Sequence, residues 1–220
     1  MPTLKIIYDV PGWAFHNEAL ALRKYAPADF EVSVAPLRRG DDPEAALGET
    51  AVDIVFVLPE SQTPRVRDVL RTRRRRSILV AGASAGWPLR LDYFYANYRI
   101  ADVLIINNVA AWKRTGRLPR TFMIPNGVDL EIFHLMVPPE RRRPKVLWVG
   151  SELYRSVKGY DQIIVPLQQR LAATGIACEA LLVESWAGDR RSPQQMAEWY
   201  NAGTVLVCAS ETEGTPNPAL

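Results

Sequence analysis

The segment SETEGTPNPAL at residues 210–220 holds the residues whose types best suit ligand chemistry. It continues the apolar run TVLVCAS, which predicts a buried strand, and it leads into a predicted helix. Glycine allows close approach of a ligand to the backbone, and amides at a helix amino terminus favour an anion. Glu213 adds a carboxylate that accepts hydrogen bonds from hydroxyl groups. The predicted anion-binding turn comprises Gly214, Thr215, Pro216 and Asn217. An ordinary strand-to-helix turn uses the same residue types.

A second candidate loop lies in VLWVGSELYRSVKGYD, where a predicted strand ends at Gly150. A polar loop with Arg155 follows, and Lys158 with Gly159 begins a predicted helix. A lysine at this position can face a bound anion. The alternative is a solvent-exposed lysine in a surface loop, which is the common situation for this residue type.

The elements that must position these loops alternate between apolar runs and helical patterns, as in parallel sheets with crossover helices. This pattern predicts a first Rossmann-like domain over residues 1–134. The segment 135–144 contains three prolines and three consecutive arginines and predicts a solvated linker. The strand and helix pattern then restarts and predicts a second domain over 145–220, with Ser192 as the amino cap of a helix beginning at Pro193.

The second domain shows only three predicted strands and the opening of a helix, fewer than a doubly wound domain typically has. We therefore expect the carboxyl-terminal domain to be incomplete. An incomplete sheet leaves an unpaired edge and apolar surface, which predicts self-association of the chain.

The segment SETEGTPNPAL resembles the start of the E-x7-E signature of glycosyltransferase family 4, and Glu213 matches the first glutamate. Seven residues reach Leu220, so the second glutamate would follow directly. IPNGVDLEIF, residues 124–133, is similar to the family's IPNGVD segment. The resemblance implies an α/β GT-B-like fold with two Rossmann-like parallel-sheet domains, the second incomplete. It also implies retaining transfer of a sugar from a nucleotide-diphosphate-sugar donor to an acceptor hydroxyl.

The same resemblance implies roles for particular residues. Glu213 would orient the sugar ring, and the amides near Gly214 to Asn217 would contact the donor. Lys158 would contact the donor diphosphate, where a cation stabilises the charge that builds as the glycosidic bond breaks. The family has an arginine directly after the strand, whereas this chain has Ser151 there, and Arg155 is the candidate replacement.

The acceptor side is implied to lie in the first domain. The loop after the first strand, DVPGWAFHNEAL, offers Gly12 and His16. His16 is either a proton carrier facing the cleft or a partly buried ring at the start of the first helix. The family often has a cleft histidine after a later strand, and Ser84 is the nearest equivalent position in this chain.

Two other functions remain open from the sequence. The chain can be a GT-B nucleotide-sugar epimerase, because fold alone does not determine the reaction. It can also be a truncated, non-catalytic binding module, since the second glutamate of the signature is missing. The implied partners are a nucleotide-sugar donor and a carbohydrate or lipid-linked acceptor.

Charge and targeting signals indicate where in the cell the protein is expected. The net charge is only +3, but Arg65–Arg76 carries seven arginines and predicts either peripheral contact with an anionic membrane or a solvated helix face. This run has no interleaved aromatic residues, which argues against nucleic-acid binding. No signal-peptide pattern and no apolar run of about 18 residues occur, so we expect a cytoplasmic protein.

Cysteine and metal chemistry play no part in the predicted site. Cys178 and Cys208 lie in apolar runs and are expected to be buried free thiols. His134 has no cluster of cysteines or carboxylates around it at ligand spacing, and no Asp-x-Asp triplet occurs. The sequence therefore predicts no metal site and no cofactor apart from the nucleotide-sugar substrate.

Overall fold

A computed structural model describes residues 1–73, 76–83, 91–114, 118–183 and 191–210. The chain divides into two compact units, residues 1–126 and 127–220. The division lies before the predicted boundary at residue 134, so the segment predicted to be a linker belongs to the second unit.

The first unit contains a parallel six-stranded sheet with helices between its strands. Its strands are β1 (Thr3–Tyr8), β2 (Glu31–Pro36), β3 (Ile54–Val57), β4 (Ile78–Ala83), β5 (Val103–Ile106) and β6 (Thr121–Met123). Its helices are α1 (Ala14–Lys24), α2 (Pro43–Leu47), α3 (Thr63–Thr72), α4 (Leu91–Ile100) and α5 (Val109–Arg114). The strand order is β2-β1-β3-β4-β5-β6, and every pair is parallel.

Alternating side chains of the central strands form separate cores on the two faces of this sheet. Ile7 packs with residues of α2 and α3, whereas its neighbour Ile6 packs with Ala19 of α1 on the opposite face. Both isoleucines are fully buried. The near-continuous apolar composition of the strands, which predicted a parallel sheet, is thus explained by helices that cover both faces.

The short helix α2 lies in a polar segment for which the sequence predicted no element. Asp42 caps it, because its Oδ1 accepts a hydrogen bond of 2.9 Å from the Glu44 amide, and Pro43 occupies the first turn. Leu47, which is 1% exposed, is the one core residue that the helix supplies. A single apolar position gives no helical period, so the pattern does not reveal the helix.

The second unit has a three-stranded parallel sheet in the described part of the chain, with the order β8-β7-β9. Its strands are β7 (Lys145–Ser151), β8 (Ala177–Val183) and β9 (Val205–Leu206). A π-helical turn (Tyr160–Ile164) continues into α6 (Val165–Ala172), and α7 (Pro193–Asn201) precedes β9. Short 3-10 turns lie at Glu60–Gln62, Pro139–Arg141 and Glu152–Tyr154.

The predicted amino cap of α7 is confirmed. The Ser192 hydroxyl accepts a hydrogen bond from the Gln195 amide at 3.2 Å, and Gln195 Oε1 accepts one from the Ser192 amide at 2.7 Å. This reciprocal arrangement satisfies two amides that the helix itself cannot. Pro193 stands at the first helical position, as predicted.

The last strand is shorter than the predicted run TVLVCAS, because the chain separates from β7 after Val207, whose amide still donates to the Leu147 carbonyl. Ala209 then lies against Gly159. Cys208 is exposed, and Cys178 in β8 is only partly buried. Both cysteines are free, but the expectation that both are buried was wrong.

Residues 134–142 are fastened to the end of α7 by two side chains. Asn201 Oδ1 accepts hydrogen bonds from the Met136 amide at 2.8 Å and from Arg142 at 2.9 Å, and its Nδ2 donates to the His134 carbonyl. Arg142 also donates to the Gly203 carbonyl at 2.7 Å. These contacts explain why a proline- and arginine-rich segment packs with the second unit.

Glu18, on α1, gives a first prediction. Partial burial raises the pKa of its carboxyl group from 4.5 to about 7, so the folded state favours the protonated form. The contribution of Glu18 to stability is therefore fully present below pH 4.5 and is lost as the pH rises through about 7. We expect Glu18→Gln to stabilise the protein at pH 8 by up to about 3 kcal/mol, measured by thermal or urea unfolding.

The same substitution should have little effect at pH 4, where Glu18 is protonated in both the folded and unfolded states. Glu31→Gln, at an exposed carboxylate of the same unit, is the matched control and should change stability little at either pH. A Glu18→Gln effect that is independent of pH would contradict the assigned cause.

Candidate functional site

Gly150, near the carboxyl end of β7, has no space for a side chain. A β-carbon at Gly150 would lie 2.6 Å from the indole ring of Trp148, which is almost fully buried. The same position is 3.4 Å from the β-carbon of Lys158. The stem of Lys158 therefore lies directly beside the end of β7.

Gly159 is constrained both by its backbone and by a neighbour. Its φ is +71°, in the left-handed region that favours glycine, and it precedes the π-helical turn. Any β-carbon there would overlap the backbone of Ala209, chiefly its carbonyl oxygen. The Lys158–Gly159 loop is thus in direct contact with the chain that follows β9 and runs towards Glu213.

The helical run that begins at Tyr160 is attached to the buried core below it. The Tyr160 ring lies 5.1 Å from the ring of Trp148, measured between centroids, and Ile164 is fully buried. The first amides of a helix have no intrahelical acceptor and carry partial positive charge. The predicted helix start after Lys158 is confirmed, with its amino end beside the end of β7.

Arg155 is held by two carboxylates and one ring. Its Nε donates to Asp161 Oδ2 at 3.0 Å and its NH2 to Asp161 Oδ1 at 2.5 Å, while NH1 donates to Glu152 Oε1 at 2.9 Å. Its guanidinium carbon lies 4.9 Å from the centre of the Tyr160 ring. Hydrogen bonding to Asp161 and then to Glu152 raises the pKa of Arg155, and the bond from Arg155 lowers the pKa of Asp161.

Ser151 occupies the position where the resembling family has an arginine. Its hydroxyl oxygen is buried and has no hydrogen-bond partner among the described residues. A buried hydroxyl without a partner costs free energy, and such groups are uncommon in folded proteins. Ser151 is not among the site residues predicted from the sequence, because nothing in the local pattern shows that its hydroxyl is buried.

In the first unit, Gly12 and His16 are brought together by a hydrogen bond. The Gly12 amide donates to His16 Nδ1 at 2.8 Å, and Gly12 adopts a φ of +79°. The His16 ring lies 4.5 Å from the ring of Tyr8, at the end of β1. Of the two predicted placements, the structure has the partly buried ring in the first turn of α1.

This geometry limits the chemistry of His16. Because Nδ1 accepts a hydrogen bond, the neutral ring carries its proton on Nε2. Partial burial, and then the positive charge of Arg23, lower the pKa of His16 below 6.5. The ring can donate a hydrogen bond from Nε2 at neutral pH, but it can accept a proton only by breaking its bond to Gly12.

The remaining predicted site residues lie outside the described residues. They are Ser84, Glu213, Gly214, Thr215, Pro216 and Asn217. The described chain ends at Ser210, three residues before Glu213.

The arginines of α3 are partly occupied within the first unit. Arg65 donates to the carbonyls of Arg38 and Asp41, and Arg67 forms a 2.8 Å ion pair with Asp102. Arg73 pairs with Glu44 at 3.2 Å and donates to the Gly48 carbonyl. These three side chains fasten α3 to its neighbours. Within Arg65–Arg76, exposed positive charge therefore comes from Arg71 and Arg76 among the described residues.

A cavity of about 380 Å³ in the second unit is lined by Arg191, Gln195, Glu198 and Trp199. The guanidinium carbon of Arg191 lies 5.7 Å from the ring of Trp199, whose Nε1 donates to Glu179 at 2.5 Å. Among the described residues, none that the sequence predicted for the site lines this cavity.

The described residues show neither a cluster of metal-binding side chains nor a membrane-spanning helix. They contain no group of three or more His, Cys, Asp or Glu side chains that could hold a metal ion. None of their helices is long and apolar enough to cross a membrane.

Comparison with known proteins identifies the fold. No family model and no curated protein matches the sequence. Among solved structures, the apo form of the lipopolysaccharide outer core galactosyltransferase WaaB is 14% identical, with a TM-score of 0.59, over 99% of this chain and 76% of that chain. HepE of Anabaena, in complex with UDP, is 14% identical, with a TM-score of 0.54, over 96% of this chain and 74% of that chain.

The chain therefore has an α/β fold of the GT-B class, with two Rossmann-like units that each contain a parallel sheet. This confirms the fold class predicted from the sequence. At 14% identity the likeness establishes the fold alone. Membership of family 4 and the roles of the site residues stay predictions.

Gly159 and Gly175 offer a matched test of the loop geometry. Both have positive φ, at 71° and 75°, but a β-carbon at Gly175 would meet nothing within 4 Å. We expect Gly175→Ala to cost roughly 1 kcal/mol of stability. Gly159→Ala should cost about 2–4 kcal/mol in urea unfolding, because overlap with Ala209 adds to the backbone strain. Equal costs for the two variants would contradict the close contact.

The tautomer of His16 can be measured directly. We expect nitrogen NMR shifts to show the Nε2–H form and a titration midpoint below 6.5. The hydrogen bond from the Gly12 amide to His16 stabilises the fold above pH 6.5. It is lost as the pH falls and the His16 ring is protonated. His16→Asn, which removes the titrating ring, assigns the signal. An Nδ1–H tautomer or an elevated midpoint would refute the arrangement.

Proposed function

We propose that this chain is a glycosyltransferase that transfers a sugar from a nucleotide-diphosphate-sugar donor to an acceptor hydroxyl, with retention of configuration. The observation that carries the proposal is the contact between Gly159 and Ala209, which joins the Lys158 loop to the segment leading to Glu213. The GT-B fold supports it, because WaaB is named as a galactosyltransferase and HepE was solved with UDP.

The proposed donor site uses positive charge from the protein. Cleavage of a glycosidic bond to a diphosphate builds negative charge on the departing oxygen. Lys158 lies at the carboxyl end of β7, beside the amino end of the helical run from Tyr160, and both favour an anion. In this proposal Lys158 contacts the diphosphate, and no divalent cation is needed.

Glu213, Pro216 and the amides of Gly214, Thr215 and Asn217 complete the proposed site. Glu213 would orient the sugar ring as oxocarbenium character develops, and interactions that strengthen in the transition state accelerate transfer. Proline lacks an amide hydrogen, so Pro216 would contribute shape rather than a hydrogen bond. Ser151, whose hydroxyl has no described partner, is an additional candidate for the phosphate oxygens.

The first unit is proposed to bind the acceptor, a carbohydrate or a lipid-linked sugar. The β1–α1 loop supports this assignment, because His16 presents an Nε2–H donor close to the end of β1. We also propose a cytoplasmic protein that contacts anionic membrane surfaces peripherally. The support is two exposed arginines, Arg71 in the last turn of α3 and Arg76 before β4.

The experiment that tests the reaction is product analysis with labelled UDP-sugars, in the presence and absence of acceptors. Transfer only when an acceptor is present, with the anomeric configuration retained, supports the proposal. An epimerised donor with water alone would identify an epimerase instead. Absence of any nucleotide binding by calorimetry would refute the donor site and leave a non-catalytic module.

Lys158→Ala should weaken UDP binding roughly 10- to 100-fold, because a hydrogen bond to a charged group contributes about 1.5–3 kcal/mol. Calorimetry measures the dissociation constant. Lys158→Arg retains the charge and should bind more tightly than Lys158→Ala. Lys113→Ala, at an exposed lysine on α5, is the matched control and should leave binding unchanged. Unchanged affinity in Lys158→Ala would contradict the assigned role.

A further inference from the structure

Arg155 uses three sides of its guanidinium group for contacts within its own loop. It forms a bidentate pair with Asp161, a third hydrogen bond to Glu152 and a face contact with Tyr160. Bidentate arginine–carboxylate pairs are directional, so they set the orientation of both partners. Asp161 and Glu152 together carry more negative charge than Arg155 carries positive charge.

In the chain, Glu152 precedes Lys158 and Gly159, and Asp161 follows them. The side-chain bonds of Arg155 to both carboxylates therefore close the segment 152–161 into a ring. Three backbone bonds close the same ring, each at 2.9 Å. They run from the Lys158 amide to the Tyr154 carbonyl, from the Gly159 amide to the Ser156 carbonyl and from the Tyr160 amide to the Arg155 carbonyl. The side-chain bonds of Arg155 and these backbone bonds thus link the same residues of the loop that carries Lys158.

The helix amino terminus gives a second reason to expect this pairing. Asp161 lies in the first turn of the helical run, where its charge would repel an approaching diphosphate. Arg155 neutralises that charge at hydrogen-bond distance. A diphosphate that recruited Arg155 as its own ligand would have to break the bidentate pair and leave Asp161 uncompensated beside it.

We infer that Arg155 is a positioning residue, which holds the Lys158–Gly159 loop and neutralises Asp161, rather than a ligand of the donor diphosphate. The inference rests on the proposed function, since it assigns the division of labour within the proposed donor site. It replaces the role that the family resemblance implied for Arg155. Lys158 is then the cation of this loop that contacts the ligand.

The test is a double-substitution cycle on the full chain, with UDP affinity measured by calorimetry. Arg155→Gln and Asp161→Asn should each weaken UDP binding, by about fivefold, because each opens the same ring. The double variant should bind no more weakly than either single variant. Arg155→Lys should behave like Arg155→Gln, since lysine cannot form the bidentate pair.

A direct role for Arg155 predicts the opposite pattern. Asp161→Asn would then release Arg155 and remove a repulsive charge, so UDP would bind more tightly. Arg155→Lys would retain most of the affinity. Either result would overturn the inference. Arg170→Gln, at an exposed arginine on α6, is the matched control for loss of positive charge and should not change binding.

Amide hydrogen exchange separates failure of this inference from failure of the proposed function. Exchange at Lys158, Gly159 and Tyr160 should become about fivefold faster in Arg155→Gln and Asp161→Asn, with or without nucleotide. If the wild-type chain binds no UDP but exchange accelerates, the donor site fails and the positioning role stands. Unchanged exchange in both variants would overturn the positioning role.

Discussion

The close approach of Gly159 to Ala209 is the constraint on which the candidate donor site depends. A β-carbon at position 159 is strained, because the backbone is left-handed and the Ala209 carbonyl fills the space beside it. The contact places the chain after β9 against the loop after β7. Two segments distant in sequence thereby meet at the carboxyl ends of parallel strands, where α/β folds bind ligands.

Some charged side chains in this region pair within the loop, whereas Lys158 is the one that we propose contacts the ligand. Arg155 is committed to Asp161 and Glu152, so the arginine in the loop offsets the acidic side chains that the loop itself contains. Arg155 offsets only part of the negative charge of these two carboxylates, so the positive charge of Lys158 at the end of β7 is needed to balance the remainder. In the first unit, the Gly12–His16 hydrogen bond similarly ties a candidate ligand-binding ring to its own loop.

Local sequence signals predicted the elements well and the long-range contacts poorly. Apolar runs located the parallel strands, and Ser192 and Gly159 marked helix starts, because caps and glycine turns depend on neighbouring residues alone. The exposure of Cys208, the ion pairs of Arg155 and the anchoring role of Asn201 depend on partners that the fold brings together. Apolar composition around Cys208 suggested a buried strand, but packing at Gly159 turned the chain away.

The most direct measurement of the central claim is a crystal structure of the full chain with UDP. The account predicts the diphosphate at the carboxyl end of β7, within hydrogen-bond reach of Lys158 Nζ, with the Arg155–Asp161 pair intact. A diphosphate bound away from this loop, or one that takes Arg155 from Asp161, would contradict the account.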